Sequence, residues 1–214
     1  MSSATDSLYA TIRRRIMAGH YAPGTQLKEE RLAEEMAVSR TPVRAALHRL
    51  VGDRMLIAAA HRGVFVAEWT RMDIAEVFEL RSLLEPYAAK LAAERATSEQ
   101  LDGLRRFTDR MEALSRPAFR DNLPEIQAAN HGFHSLVIEA AASPRLKGMA
   151  SILVAMPMFL GSFYFYSDAD MQRSIQHHRE LIMAIEAKDP TFAQQVMTVH
   201  LRVTHEVFMR NRQA

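Results

Sequence analysis

Residues 32–50 read LAEEMAVSRTPVRAALHRL. Leu32, Met36, Val38, Val43, Leu47 and Leu50 recur at a spacing that gives two short helices one shared apolar contact, and Ala33 and Ala37 permit close packing between them. Pro42 fits the first turn of the second helix, because the first amides of a helix have no internal acceptor; Thr41 is then the expected N-cap, and the helix runs to about Asp53. With the inner face occupied, Arg40, Thr41, Arg44, His48 and Arg49 stand at the front and on the outer face of that helix. Those are the positions that a recognition helix offers to the major groove of double-stranded DNA. The planar fork of Arg can pair with guanine O6 and N7 or hold a phosphate, while Thr41 and the helix N-terminus suit backbone oxygens.

The flanks extend the motif. Residues 6–18 read as a helix closed by Gly19, followed by a turn at His20-Tyr21-Ala22-Pro23-Gly24 and a helix over 27–36. After the second helix of the pair, Met55–Ala60 and Val64–Glu68 read as a β-hairpin around His61-Arg62-Gly63, with Gly63 supplying a positive φ. Charge placement agrees with a polyanion partner. Residues 1–70 carry 10 Lys and Arg against 7 Asp and Glu, and between Arg40 and Arg62 there are five Arg against one acid, Asp53. Residues 71–214 hold 17 basic against 18 acidic residues, so the excess belongs to the first third of the chain.

The sequence SRTPVRAALHRL, with PGTQLKEERLAEEM before it and HRGVFVAE after it, resembles the winged helix-turn-helix of GntR-family transcription factors over residues 8–68. The resemblance implies that Arg40, Thr41 and Arg44 read groove and phosphate, that Arg49 is a further phosphate contact, and that Gly63 marks the wing tip near the minor groove. Ala45 stands where the family commonly has Glu.

The remaining composition narrows the classes. With 48% apolar and 24% charged residues over 214 positions, the chain is neither disordered nor fibrous, and its length suits one large domain or two modest ones. The absence of Cys excludes disulfides, thiolate metal sites and Cys nucleophiles, and is compatible with a cytoplasmic protein. The N-terminus lacks the basic start and apolar run of a secretory signal. Met149–Tyr166 has no charged residue, but Pro157, Gly161, Ser151 and Ser162 dilute it and charged amphipathic segments flank it. A helix buried on most sides, and not a membrane span, is expected there.

From residue 73 onward the pattern is helical, over about 73–95, 98–114, 121–141, 144–166, 170–188 and 190–212. The expected architecture is mostly α. A winged helix-turn-helix DNA-binding domain spans 1–70, and an all-helical ligand-binding and dimerisation domain spans 71–214. The second part, from DIAEVFELRSLLEPYAAKLAA at 73–93, resembles the ligand-binding domain of the FadR-like branch of the same family.

Six of the nine His lie between 131 and 205. Asn130 and His134 are one turn apart, on a face with Ile126, Val137 and Ile138. His178 shares a face with Leu181, Ile182 and Ile185, whereas His177 aligns with Glu180 and Lys188 nearer solvent. His200 aligns with Val196, Met197, Val203 and Val207; it and His178 are equally far in sequence from Asp189, where an Asp-Pro break reverses the chain, so the two rings should meet. One His on an apolar stripe is ordinarily core, but three converging with a polar oxygen make a divalent transition-metal site of the Zn, Ni or Mn class with positions left open. The family's pattern of Asp or Asn followed by three His falls on Asn130, His134, His178 and His200. Asn130 replaces the commoner Asp and compensates less charge.

Arg81 has the apolar neighbours Val77, Phe78 and Leu84. It either snorkels or pairs with Glu85, or it clamps a ligand carboxylate across a cavity, as the resemblance implies. Met156, Phe159, Phe163 and Tyr164 are candidate walls of that cavity or plain core.

A regulator, with repressors usual in such families, therefore leads: a homodimer on two-fold operator DNA, controlled by a small carboxylate effector such as a sugar acid, hydroxy acid or dicarboxylate, and not an enzyme. Dimerisation is expected because one three-helix head offers a small interface. The alternative is a His-ligated metallohydrolase or isomerase fused to a DNA-binding head, with Glu180 as its possible base. An architectural DNA binder with a structural bundle would leave the buried polar residues without a role.

Overall fold

The computed structural model describes residues 2–17, 20–53, 55–60, 62–68, 71–116, 119–154, 163 and 166–210. The chain divides into two compact units, Met1–Thr70 and Arg71–Ala214.

The first unit holds α1 (Ser2–Met17), β1 (Gln26–Leu27), α2 (Glu29–Glu35), α3 (Arg40–Gly52), β2 (Leu56–Ala59) and β3 (Gly63–Val66). Its sheet runs in the order β1-β3-β2, antiparallel, with Leu27 opposite Val64 and Ile57 opposite Phe65. β1 was not expected from the sequence; Leu27 was read as the start of a helix, and Gln26 fell between that helix and the preceding turn. Gly63, at φ 93°, opens β3 in the left-handed region that the hairpin needs. Leu32, Val43, Leu47 and Leu50 are buried with Ile12, Met55 and Leu56, and Met36 and Val38 pack partly against them. The pair of helices thus shares the predicted apolar contact.

Two local expectations are corrected. α3 starts two residues earlier than read, with Ser39 as its N-cap, which places Thr41 and Pro42 inside the first turn. Pro42 still lacks an amide where none has an intrahelical acceptor, so the shift costs nothing in hydrogen bonds. Ala37 does not pack between the helices: it is exposed at φ 52° and turns the chain after α2.

The second unit contains α4 (Arg71–Arg95), α5 (Ser98–Ser115), a 3₁₀ turn (Phe119–Asn122), α6 (Leu123–Ala140), α7 (Pro144–Val154), α8 (Asp168–Glu186) and α9 (Pro190–Arg210). Capping boxes start α5 (Thr97 with Gln100) and α8 (Ser167 with Asp170), and Asp189 Oδ1 accepts the Phe192 amide at 2.9 Å at the start of α9. The expected helix over 144–166 reaches Val154; residues 155–162 lie outside the described set, and Tyr166 is not helical. No described helix is long and apolar enough to cross a membrane.

α4 packs along α9, α5 against α6 and α8, and α8 against α9. The centre is filled by Ala89, Ala92, Leu104, Phe133, Val137, Leu181, Ile185, Met197 and Leu201. α5 and α6 approach closely because two glycines lie between them. A Cβ on Gly132 would sit 2.4 Å from the Phe107 ring, and one on Gly103 2.6 Å from Leu136 Cδ2. This close approach sets α6, and with it His134, against the centre of the bundle.

Candidate ligand pocket and nucleic-acid interface

His134 on α6, His178 on α8 and His200 on α9 are brought together at the middle of the second unit, each no more than 5% exposed. Their ring centroids are 5.5 Å apart for His134–His178, 5.2 Å for His134–His200 and 4.9 Å for His178–His200. One ring nitrogen from each can be chosen so that all three lie within 4.8 Å of one another. Phe133 stacks flat on His178 at 3.9 Å and fixes that ring from one side. Both ring nitrogens of His178, Nδ1 of His200 and the Oδ1 of Asn130 are buried with no hydrogen-bond partner among the described residues. A buried polar atom left this way costs about 1–3 kcal/mol, so several at one place call for a ligand. Three imidazoles and an amide oxygen are donors that suit a borderline divalent cation, and the set therefore fits the metal that the sequence pattern implied. Burial pushes His178 and His200 well below the ordinary imidazole range, and their neighbouring His residues add to it, so both rings are neutral and able to ligate. His177 is half-buried, its ring 5.8 Å from that of His200 and edge-on to it.

Arg81 and Glu85 stand one turn apart on α4, 5% and 1% exposed. Arg81 Nε donates to Glu85 Oε1 at 2.5 Å, and the other carboxylate oxygen, Oε2, lies 2.6 Å from His134 Nδ1. Burial alone would raise the Glu85 pKa, but the Arg81 and His134 charges and hydrogen bonds outweigh it and hold the carboxyl down at about 2. Glu85 is therefore a carboxylate, an acceptor at both oxygens. Pairing with Glu85 was one of the two readings of Arg81. The structure has that pair and also puts Arg81 on the cavity wall, so the two readings do not exclude each other.

The cavity is small, with a free volume of about 20 Å³, room for a water molecule or an ion. Arg81, Asn130, His134 and His200 line it together with Gln127, His131, Val154, Phe163, Tyr166, Ser174 and Thr204. Phe163 is thus a wall, while Met156, Phe159 and Tyr164 lie outside the described residues. Gln127, Ser174, Thr204 and Tyr166 were missed in the sequence. A signal existed: Ser174 is one turn before His178, Thr204 one turn after His200, and Gln127 two turns before His134. Tyr166 donates to Thr204 Oγ1 at 3.1 Å, and burial pushes its phenol up to about 12, which keeps it a donor. Gln127 Nε2 and Ser174 Oγ are buried without partners among the described residues. Among those residues no base is bonded to Ser174, and Glu180 accepts a hydrogen bond from Gln176 of its own helix.

In the first unit α3 exposes Arg40, Thr41, Arg44, Ala45, His48 and Arg49, the outer stripe read from the sequence. Its arginines are not idle. Arg44 grips Glu29 side-on, Nε at 2.9 and 3.1 Å from the two oxygens and Nη2 at 2.8 Å. Arg40 Nη2 lies 2.7 Å from Glu30 and 3.4 Å from Glu29. Arg49 pairs with Asp6 at 2.5 Å and lies over the Tyr9 ring at 4.3 Å. Hydrogen bonds and charge from Arg44 and Arg40 hold Glu29 below the usual carboxylate range. These acidic partners from α1 and α2 were not foreseen, because the charge count over 40–62 leaves them out.

A helix pair with a basic outer stripe and a wing, beside a bundle with a His-lined cavity, has a clear counterpart among known families. The family model of bacterial regulatory proteins of the gntR family matches residues 4–66, and that of the FCD domain matches residues 76–203. The chain belongs to the GntR family. This GntR-family regulator is 28% identical over 212 residues to the galactonate operon transcriptional repressor of Escherichia coli (strain K12), covering 89% of this chain and 90% of that protein. It is 27% identical over 187 residues to the gluconate operon transcriptional repressor of Bacillus licheniformis, covering 83% and 74%. The solved structure of E. coli McbR/YncC superposes with a TM-score of 0.77 at 24% identity, over 99% of this chain and all of that one, and so shares its fold. The regulator reading of the sequence is upheld, and the metallohydrolase alternative finds no support among these relatives.

Proposed function

We propose that this GntR-family regulator is a homodimeric repressor whose operator affinity is set by a small carboxylate bound in the cavity of the second unit. The observation that carries the reading is the three-His cluster, in which ring nitrogens of His178 and His200 are buried without partners among the described residues, with His134 and His200 lining one cavity together with Arg81. Asn130, His134, His178 and His200 would hold a divalent transition metal of the Zn, Ni or Mn class, whose chemistry there is to attract an anion. Arg81 supplies the guanidinium that orients a carboxylate, and its bond to Glu85 keeps that group in place. Gln127 and Ser174, buried and without partners, suit hydroxyl groups. Among the carboxylates open from the sequence, a sugar acid carries a group suited to each of these, and taking one up requires the cavity to widen beyond its free volume of about 20 Å³. That two relatives are named for galactonate and gluconate operons favours the same class.

On DNA, Arg40, Thr41 and Arg44 would face the major groove, Arg49 a phosphate and Gly63 the wing tip. Leu83 and Tyr87 on α4 and Met149 and Ile152 on α7, all exposed, supply apolar surface for the dimer. The test of the metal is elemental analysis of gently purified protein. One divalent ion per chain is expected, bound more tightly in Asn130→Asp, because a carboxylate supplies the charge that the amide lacks. A full complement retained by the His134→Ala/His178→Ala double variant would remove the site from consideration.

A further inference from the structure

Glu85 does more than neutralise Arg81. An ordinary buried pair would use one carboxylate oxygen or both on the guanidinium; here the second oxygen is given to a ring on another helix, 49 residues away in sequence. Oε1 accepts from the permanently charged Arg81 guanidinium, which makes the Glu85 carboxylate an acceptor at both oxygens, so the 2.6 Å contact of Oε2 puts a proton on His134 Nδ1. In its neutral form, the form in which it can ligate, the imidazole carries only one N–H. Nε2 of His134 is then the lone-pair nitrogen, the form in which a ring can serve a cation together with His178 and His200. In the opposite tautomer an N–H would occupy that nitrogen and the three-His set would be broken.

We propose that Glu85 is a positioning residue that joins the two halves of the pocket: one carboxylate fixes which nitrogen of His134 is available beside His178 and His200, and holds Arg81 next to it. The assignment of what binds there rests on the reading above; the tautomer of His134 does not. Cation and anion subsites therefore stand or fall together, because the same side chain orients a residue of each.

The test uses the full chain, freed of metal with a chelator and labelled with ¹⁵N at histidine, at alkaline pH where free imidazole is neutral. Ring ¹⁵N shifts of His134, assigned by their loss in His134→Gln, should show protonation at Nδ1 in the wild type and loss of that bias in Glu85→Gln. Zn²⁺ affinity, measured against a chromophoric chelator, should fall about ten- to hundred-fold in Glu85→Gln, the usual effect of removing a carboxylate behind a ligating His. A wild-type chain that takes up no Zn²⁺ contradicts the metal reading alone, and the tautomer measurement still decides the role of Glu85. If Glu85→Gln does not fold, the wild-type spectrum decides by itself. Protonation of wild-type His134 at Nε2, or a Glu85→Gln variant that keeps both the Nδ1–H form and wild-type Zn²⁺ affinity, overturns the proposal.

Discussion

His178 and His200 are buried with their pKa values displaced well below the ordinary 6.5. In the metal-free protein the unfolded chain therefore takes up protons at these two positions first. Stability is full above about pH 6.5 and falls as the pH drops below it toward the folded-state values, by up to about 1.4 kcal/mol per pH unit for each residue. Urea midpoints recorded with a chelator across that range should show the decline, and His178→Leu should flatten it; a wild-type curve level from pH 7 to about 5 would contradict the burial of neutral rings. These two residues were legible in the sequence because helical periodicity alone places them on apolar stripes, and the Asp189 reversal sets them at one level. Glu85 was legible only halfway: its bond to Arg81 is a local i, i+4 pair, whereas its bond to His134 depends on how α4 crosses α6, which no pattern within either helix encodes.

At the scale of elements, α3 was foreseen with its exposed stripe correct and its first turn off by two residues, because Ser39 and Thr41 are both good caps and only the backbone decides between them. Its arginines make different predictions. Arg44→Ala should weaken operator binding by about 1–3 kcal/mol if it reads a base, whereas Arg49→Ala should weaken all sequences evenly and lower the salt slope by about one. Filter binding on operator and scrambled DNA at fixed salt separates them, and unchanged operator affinity in Arg40→Ala/Arg44→Ala would exclude α3 from the interface. The α5–α6 contact makes a prediction of its own. Gly132→Ala would drive a methyl into the Phe107 ring and should cost about 1–3 kcal/mol in thermal unfolding. Gly52, whose added Cβ would meet nothing within 4 Å, is the control, with an expected change near zero for Gly52→Ala.

At the scale of the molecule, the exposed apolar residues of α4 and α7 are the surface that the proposed homodimer would bury. Leu83→Glu with Ile152→Glu should convert a dimer to a monomer in sedimentation and reduce operator affinity, while leaving the helical content unchanged. The central claim is that the cavity regulates the head, and that is a statement about linkage. A ligand that lowers operator affinity by a coupling energy of about 1–3 kcal/mol must itself bind more weakly, by the same factor, when operator is present. The direct measurement is calorimetry of galactonate, gluconate and a set of other small carboxylates against metal-loaded protein, with and without the operator found by footprinting. One carboxylate should bind the free protein and lose affinity about 5- to 150-fold on the operator complex, and Arg81→Ala should abolish that response without changing ligand-free DNA binding. Binding that is equally tight in both cases, or conversion of the carboxylate to a product, would contradict the account.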